Sequence, residues 1–245
     1  MFARLNTQVL LLTATLALGA CDSTLAPISV AVGCPDRPVR GPEAQANAPA
    51  NRLIDDFEDG DVNINPAEGR DGLWVAGNDH TASDTNMVFE ISPSSAVPDC
   101  SARGRHAAYF SWTDFRTWGA NLTALFRPQA TVANTWDGRG YGGVSFWAAV
   151  PAGRAPLDLP VGLTTTDNAW NGGVCNENAG KCMDVYAMKV HLTSTWQRFE
   201  LRFTQLIQSG TGDPLTTMKR DKLVGLVFWP RHPAEFWLDD VRFEP

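Results

Sequence analysis

At 245 residues with 44% hydrophobic side chains, the chain is long enough to bury one sizeable core. Its 27 acidic residues outnumber 20 Lys and Arg, giving a formal charge of −7. That balance lacks the basic footprint of nucleic-acid binding and of electrostatic docking on anionic lipid. The acids are spread along the chain, so the excess charge reads as solubility.

Met1 and Arg4 open a short basic region, and Val9 to Leu18 form an apolar stretch too short to span a bilayer. It ends in Leu18-Gly19-Ala20-Cys21, which matches a lipobox. Small residues there fit a signal peptidase, and the thiol is the atom that takes the diacylglycerol. An ordinary secretory signal with a chance cysteine is the alternative, but Cys21 falls at the one required place. Residues 1–20 are therefore expected to be a lipoprotein signal peptide, removed to leave a lipidated Cys21. Cleavage takes away Arg4 and no acid, moving the formal charge from −7 to −8. Each buried lipid methylene adds about 0.8 kcal/mol, so a multiply acylated N-terminus is held on a membrane almost irreversibly. The expected location is the cell envelope, on the periplasmic face or the outer surface. Asp22, which follows, is an inner-membrane retention signal in some bacteria. No other apolar run is long enough to cross a membrane.

Residues 21–50 are rich in Pro, Ala, Ser and Gly without sustained periodicity and read as a flexible tether. The domain proper is expected over residues 51–245. From Arg52 onward, short β-like runs alternate with Gly, Pro, Asn and Asp clusters. The predicted strands are 52–57, 73–76, 86–91, 106–112, 119–126, 143–149, 159–165, 185–192, 196–203, 223–229 and 235–243. In the clearest, Phe199, Leu201 and Phe203 alternate with Arg198, Glu200 and Arg202, which gives one core face and one solvent face. Only 204–209 and 216–222 suit short helical turns. Many strands without helical crossovers predict an all-β fold, an antiparallel β-sandwich of jelly-roll type.

Four cysteines remain after Cys21, an even number that suits an oxidising compartment. Cys175 and Cys182 flank a short polar loop and are expected to pair, which leaves Cys34 and Cys100 as partners by elimination. A metal site is the rival reading, but none of the four histidines lies near a cysteine in sequence.

Three segments carry a family resemblance. They are Ile54-Asp55-Asp56-Phe57-Glu58-Asp59-Gly60, then Tyr141 to Ala148 with Leu192 to Phe199, and finally Phe236-Trp237-Leu238-Asp239-Asp240-Val241-Arg242-Phe243. Over roughly residues 51–245 the chain resembles the galactose-binding-like jelly rolls that include carbohydrate-binding modules, family 11 and its relatives especially. It resembles too the bacterial lipoproteins that carry one such domain behind a lipobox. The resemblance is specific for fold and much less so for ligand.

Many such modules hold a structural calcium where the first strand meets the last. The resemblance implies that Glu58, Asp239 and Asp240 supply its oxygens, with Glu58 and Asp240 preferred; carboxylates and turn carbonyls are the hard ligands calcium takes. An independent hint comes from parity. Phe236 and Leu238 share one parity while Val241 and Phe243 share the other, so a strand burying both pairs must bulge at Asp239-Asp240. The run Asp59-x-Asp61-x-Asn63-x-Asn65 is no EF-hand, because Ile64 and Arg70 occupy its glycine and bidentate-acid positions, and it reads as a polar turn.

Nine tryptophans are the other feature. Sugar sites set aromatic faces beside a few polar groups. Trp112 and Trp118 bracket Asp114 and Arg116, and Trp170 adjoins Asn171, so these six residues are the candidate glycan platform. Trp74, Trp147, Trp196 and Trp237 lie inside strand-like or family-like segments and suit core packing. No Gly-x-Ser-x-Gly elbow, His-Glu-x-x-His or phosphate loop is present. The expectation is a membrane-anchored, non-catalytic carbohydrate-binding lipoprotein whose partner is a polysaccharide or other glycan. The alternatives are a structural or adhesive lipoprotein with a protein partner and, less favoured, a polysaccharide-cleaving enzyme.

Overall fold

The computed structural model describes residues 52–93, 106–129 and 133–245. Cys21, the tether, Cys34 and Cys100 lie outside these residues.

Eleven strands run through the described residues, each overlapping one of the predicted runs. In chain order they are β1 (Leu53–Asp55), β2 (Trp74–Asn78), β3 (Met87–Pro93), β4 (His106–Trp112), β5 (Ala120–Leu125) and β6 (Gly143–Ala149). There follow β7 (Leu157–Thr165), β8 (Tyr186–Leu192), β9 (Gln197–Arg202), β10 (Leu223–Phe228) and β11 (Ala234–Glu244). Short 3-10 turns at Phe203–Gln205 and Arg220–Lys222 overlap the segments where helical turns were expected, and two unforeseen ones lie at Asp84–Asn86 and Glu177–Ala179.

The strands form two antiparallel sheets. One has the order β3-β4-β11-β6-β9, with β1 also pairing to β11, and the other has the order β2-β5-β10-β7-β8. Only β3–β4 and β7–β8 are hairpin neighbours in one sheet, and the other connections carry the chain across to the opposite sheet. This is a jelly-roll sandwich.

Period-two patterning explains which faces meet. In β5, Ala120, Leu122 and Ala124 are buried in the common core while Asn121, Thr123 and Leu125 face outward. Leu159, Val161 and Leu163 of β7, Leu226 and Phe228 of β10, and Phe146 of β6 close the same core. Aromatic rings knit the two layers, with Phe228 lying 5.1 Å from Phe146 and 6.0 Å from Trp74. Trp74, Trp196 and Trp237 are buried, as their settings implied, and Trp147 is half-buried.

The last strand bulges where parity required. Its pairing with β6 shifts between Asp239 and Arg242, Asp240 has φ of 52°, and Phe236, Leu238, Val241 and Phe243 are all fully buried. An extra residue in the left-handed region lets both apolar pairs face one core. Arg70 is enclosed beside this strand, its guanidinium 4.8 Å from the Trp136 ring centre and 5.0 Å from that of Phe243.

Cys175 and Cys182 form the expected disulfide in the long loop between β7 and β8, with Cα atoms 5.2 Å apart. Asn168 ties the roots of that loop: its Oδ1 accepts from Thr165 N–H at 2.8 Å and its Nδ2 donates to the Asp184 carbonyl at 3.2 Å. On the chain-entropy account, a loop of this size contributes about 2.5 kcal/mol. Replacing both cysteines by serine is expected to cost about that much in denaturant unfolding. An unchanged midpoint would show that the cross-link stabilises nothing.

Candidate functional site

The central strand β10 is buried on both faces, which singles out the outer side of the five-stranded sheet. Leu226 and Phe228 belong to the core, whereas Val227 packs with Trp229 and Val185 in a separate outward cluster. Cross-strand partners share a face, so register extends this patch sideways. Val75, Thr123, Val227, Gly162 and Ala187 make one outward row across all five strands. In the next row Gly77 pairs with Asn121 and Pro160 with Lys189, and the Trp229 N–H donates to the Pro160 carbonyl. Small and apolar side chains thus give a shallow floor.

Walls rise from two loops and make a groove of about 520 Å³. Ala187 N–H donates to the Ile207 carbonyl at 3.0 Å and Ile207 N–H returns the bond at 3.1 Å, laying Gln205 to Ser209 alongside β8. Ile207 is 71% exposed on that rim. Pro160, Gly162, Val227, Trp229, Arg231, Lys189, Gln208 and Ser209 are among the lining residues. A mostly apolar floor with a few polar groups around it is the composition of a small-molecule or glycan site, and the volume lies within the range of such sites.

Asp184 builds the far wall. Its carboxylate accepts from Ser209 N–H and Oγ–H, Gly210 N–H and Gly212 N–H, at 2.7 to 3.0 Å. Burial alone raises its pKa, but the Ser209 hydroxyl and those backbone N–H groups outweigh it, leaving the carboxyl below its ordinary range.

At the other end stand Trp118 and Trp229. Their rings meet edge to face at 5.9 Å, and Trp229 Nε1–H donates to the Trp118 carbonyl at 2.9 Å. The Arg231 guanidinium lies 3.9 Å from the centre of the Trp229 ring. Trp229 is buried beneath it, while Trp118 keeps 36% of its surface exposed. Asp79 fixes this end as Asp184 fixes the other: its Oδ2 accepts from the N–H groups of Thr117, Trp118 and Gly119 at 2.7, 2.9 and 2.9 Å. Desolvation opposes ionisation of Asp79, yet the Thr81 hydroxyl and the backbone donors prevail and hold the carboxyl well below the usual range.

The platform expected from sequence divides. Trp118 is exposed at the groove's end and Trp170, 60% exposed, stands on the β7–β8 loop. Trp112 is a correction. It is 2% exposed, packs 6.0 Å from Phe115, and lies under Gly119, where an added Cβ would come within 2.6 Å of its ring. Gly119 has φ of 83°, so glycine serves that turn twice over. Trp112 therefore offers no ring face to a ligand. Asp114 and Arg116 are exposed in the same turn, where Asp114 accepts from Asn86 Nδ2 at 2.8 Å. Asn171 Nδ2 donates to Gln129 Oε1 at 3.1 Å. Val227, Trp229, Arg231 and Asp184 were not foreseen. The available signal was the unbroken apolar run at the end of the 223–229 segment, since a strand apolar on both parities is covered on both faces.

The resemblance placed a calcium at the junction of the first and last strands. β1 does pair with β11, with Leu53 opposite Arg242 and Asp55 opposite Val241. Glu58 Oε1 accepts from His106 N–H at 3.3 Å, Asp239 Oδ1 from Asp240 N–H at 2.7 Å, and Asp240 Oδ1 lies 3.4 Å from Arg242 Nη2. Among the described residues no three His, Cys, Asp or Glu side chains gather in a metal-holding group. Asp59 and Asp61 accept from the N–H groups of Asp61 and Asn63, the polar turn their spacing implied.

No protein-family model matches the sequence, and no curated protein matches it. Solved structures do. A family 11 carbohydrate-binding module from Clostridium thermocellum, in complex with a β-1,3-1,4-mixed-linked tetrasaccharide, aligns with a TM-score of 0.50 and 14% identity. The match covers 79% of this chain and 94% of that one. The xylan-binding CBM22-1 domain of Paenibacillus barcinonensis Xyn10C aligns with a TM-score of 0.44 and 14% identity, over 80% of this chain and 96% of that one. The chain has a jelly-roll domain like those of carbohydrate-binding modules.

Proposed function

We propose that this chain is a non-catalytic carbohydrate-binding lipoprotein. Lipid on Cys21 would hold it in the cell envelope, and a glycan would lie in the groove on the outer face of the five-stranded sheet. The observation that carries the binding reading is the groove itself, with an apolar floor, polar walls and Trp229 in its lining, against which the exposed Trp118 ring packs edge to face. A sugar ring presents apolar C–H faces and a rim of hydroxyls, which such a surface complements. The structural likeness to glycan-binding jelly rolls supports the same reading, while the anchor rests on the lipobox alone.

A glycosidase needs a carboxyl group kept protonated near neutral pH beside a second carboxylate. The groove's Asp184 is shifted the opposite way. Among the described residues the carboxyl group pushed well up is Asp55, which bonds to core-facing Trp74 on the inner side of the sheet. Both observations favour binding over cleavage.

The test is a polysaccharide panel, with each hit titrated by tryptophan fluorescence on the mature chain. At least one hit is expected. Trp118→Ala is expected to weaken it by about tenfold or more, since exposed aromatic anchors dominate recognition. Its melting temperature should stay near the wild-type value, because the bond from Trp229 goes to the backbone of residue 118. A blank panel would sink the reading and favour a protein partner; reducing ends released from any glycan would establish an enzyme.

A further inference from the structure

The groove's charge is opposite in sign to that of the chain around it. Three ionisable residues line it, Asp184, Lys189 and Arg231. Asp184 is 3% exposed and spends its carboxylate on the four donors of the Ser209 to Gly212 turn. Lys189 and Arg231 are exposed, and neither has an ion-pair partner among the described residues. Asp158, the next outward residue of β7, is hydrogen-bonded to His191 Nδ1 at 2.8 Å. Two cations without a direct ion-pair partner, Arg231 still within the field of Asp184, therefore face the ligand space of a protein whose net charge is −7.

Their placement is ordered. Lys189 pairs with Pro160, and Pro160 accepts from the N–H of Trp229, so Lys189 and Trp229 stand two strands apart on one row, about 10 Å. Arg231 is laid over the Trp229 ring, which fixes its guanidinium before a ligand arrives. A guanidinium held over a ring keeps paired N–H donors that match a carboxylate or a sulfate ester. Between the two cations the floor is apolar and small, from Pro160, Gly162 and Val227.

Resting on the glycan-binding reading above, we propose that the ligand is an anionic polysaccharide, its acidic groups met by Arg231 and Lys189 while its sugar rings lie on the floor between them. Uronate carboxylates and sulfate esters share the chemistry that would be recognised, and the test separates them.

The wild-type mature chain is titrated with polygalacturonate and with the same polymer fully methyl-esterified, then with dextran sulfate and dextran, at 50 mM and 500 mM sodium chloride. Tighter binding of a charged polymer than of its neutral counterpart, by about tenfold and lost at high salt, is expected. Preference within the first pair identifies carboxylate recognition, and preference within the second identifies sulfate recognition. In Arg231→Gln and in Lys189→Gln, with melting temperatures confirming folding, that preference should shrink severalfold. Equal or tighter binding of the neutral polymers would overturn the anionic ligand and leave glycan binding intact. No binding to any of these or to the wider panel would overturn both.

Discussion

Raising the pH from 4 to 8 is expected to destabilise the folded domain by on the order of 5 kcal/mol, and Asp55→Asn to remove most of that dependence. Asp55 is 4% exposed and its carboxyl group accepts from Phe57 N–H at 2.7 Å and Trp74 Nε1–H at 2.8 Å. Burial outweighs those two hydrogen bonds, Asp59 and Asp56 add like charge, and the pKa is pushed up to about 8. A carboxyl group whose folded pKa exceeds its unfolded value holds an extra proton in the native state between the two. Stability then falls as pH rises through that window, and the loss is complete above the folded value. Below about pH 4 the opposite limb begins, because Asp79 and Asp184 have lowered folded values and lose their contribution as they protonate. Urea unfolding at fixed temperature should show a maximum on the acid side of neutrality. A wild-type curve flat between pH 4 and 8, or one that Asp55→Asn leaves unchanged, would contradict the burial argument.

The second large effect is expected at Asp184. Asp184→Ala removes the acceptor of four hydrogen bonds, three of them from backbone N–H groups in the Ser209 to Gly212 turn. Hydrogen bonds to a charged acceptor contribute about 1.5–3 kcal/mol, and donors left unmatched cost more than pairs removed together. A loss of about 3 kcal/mol is expected, with Asp184→Asn intermediate because its amide keeps one acceptor oxygen. The damage is local: Gln208 and Ser209 line the groove, so glycan affinity should fall along the same order, wild type, Asn, Ala. Full affinity in a folded Asp184→Ala protein would show that this wall takes no part in binding.

The fold was legible because its signal is local. Alternation in Phe199, Leu201 and Phe203 needs only one strand to be read, and the conflict of parity between Leu238 and Val241 needs only the last one. The Cys175–Cys182 pair was legible for the same reason, as two thiols across a short polar loop. The groove is different, since Val227, Gly162, Thr123 and Lys189 become neighbours only through the register of separate strands. Nothing in the spacing along the chain marks Arg231 as lying on Trp229. Trp112 shows the converse failure. Its acidic and basic neighbours gave it the look of a surface residue, but it is the last residue of β4 and points inward while the chain turns at Asp114, where φ is 64°. Trp118, six residues on, follows that turn and stays exposed.

Hydrogen exchange on the mature chain, with and without a saturating polysaccharide hit, tests the central claim most directly. Slowed exchange is expected in the turn after Leu206 and at the start of β8, which line the groove, and between Thr117 and Gly119, beside Trp229. Protection confined to the outer face of the six-stranded sheet, around Tyr109, Trp147 and Trp237, would place the ligand on the other side of the sandwich and contradict it.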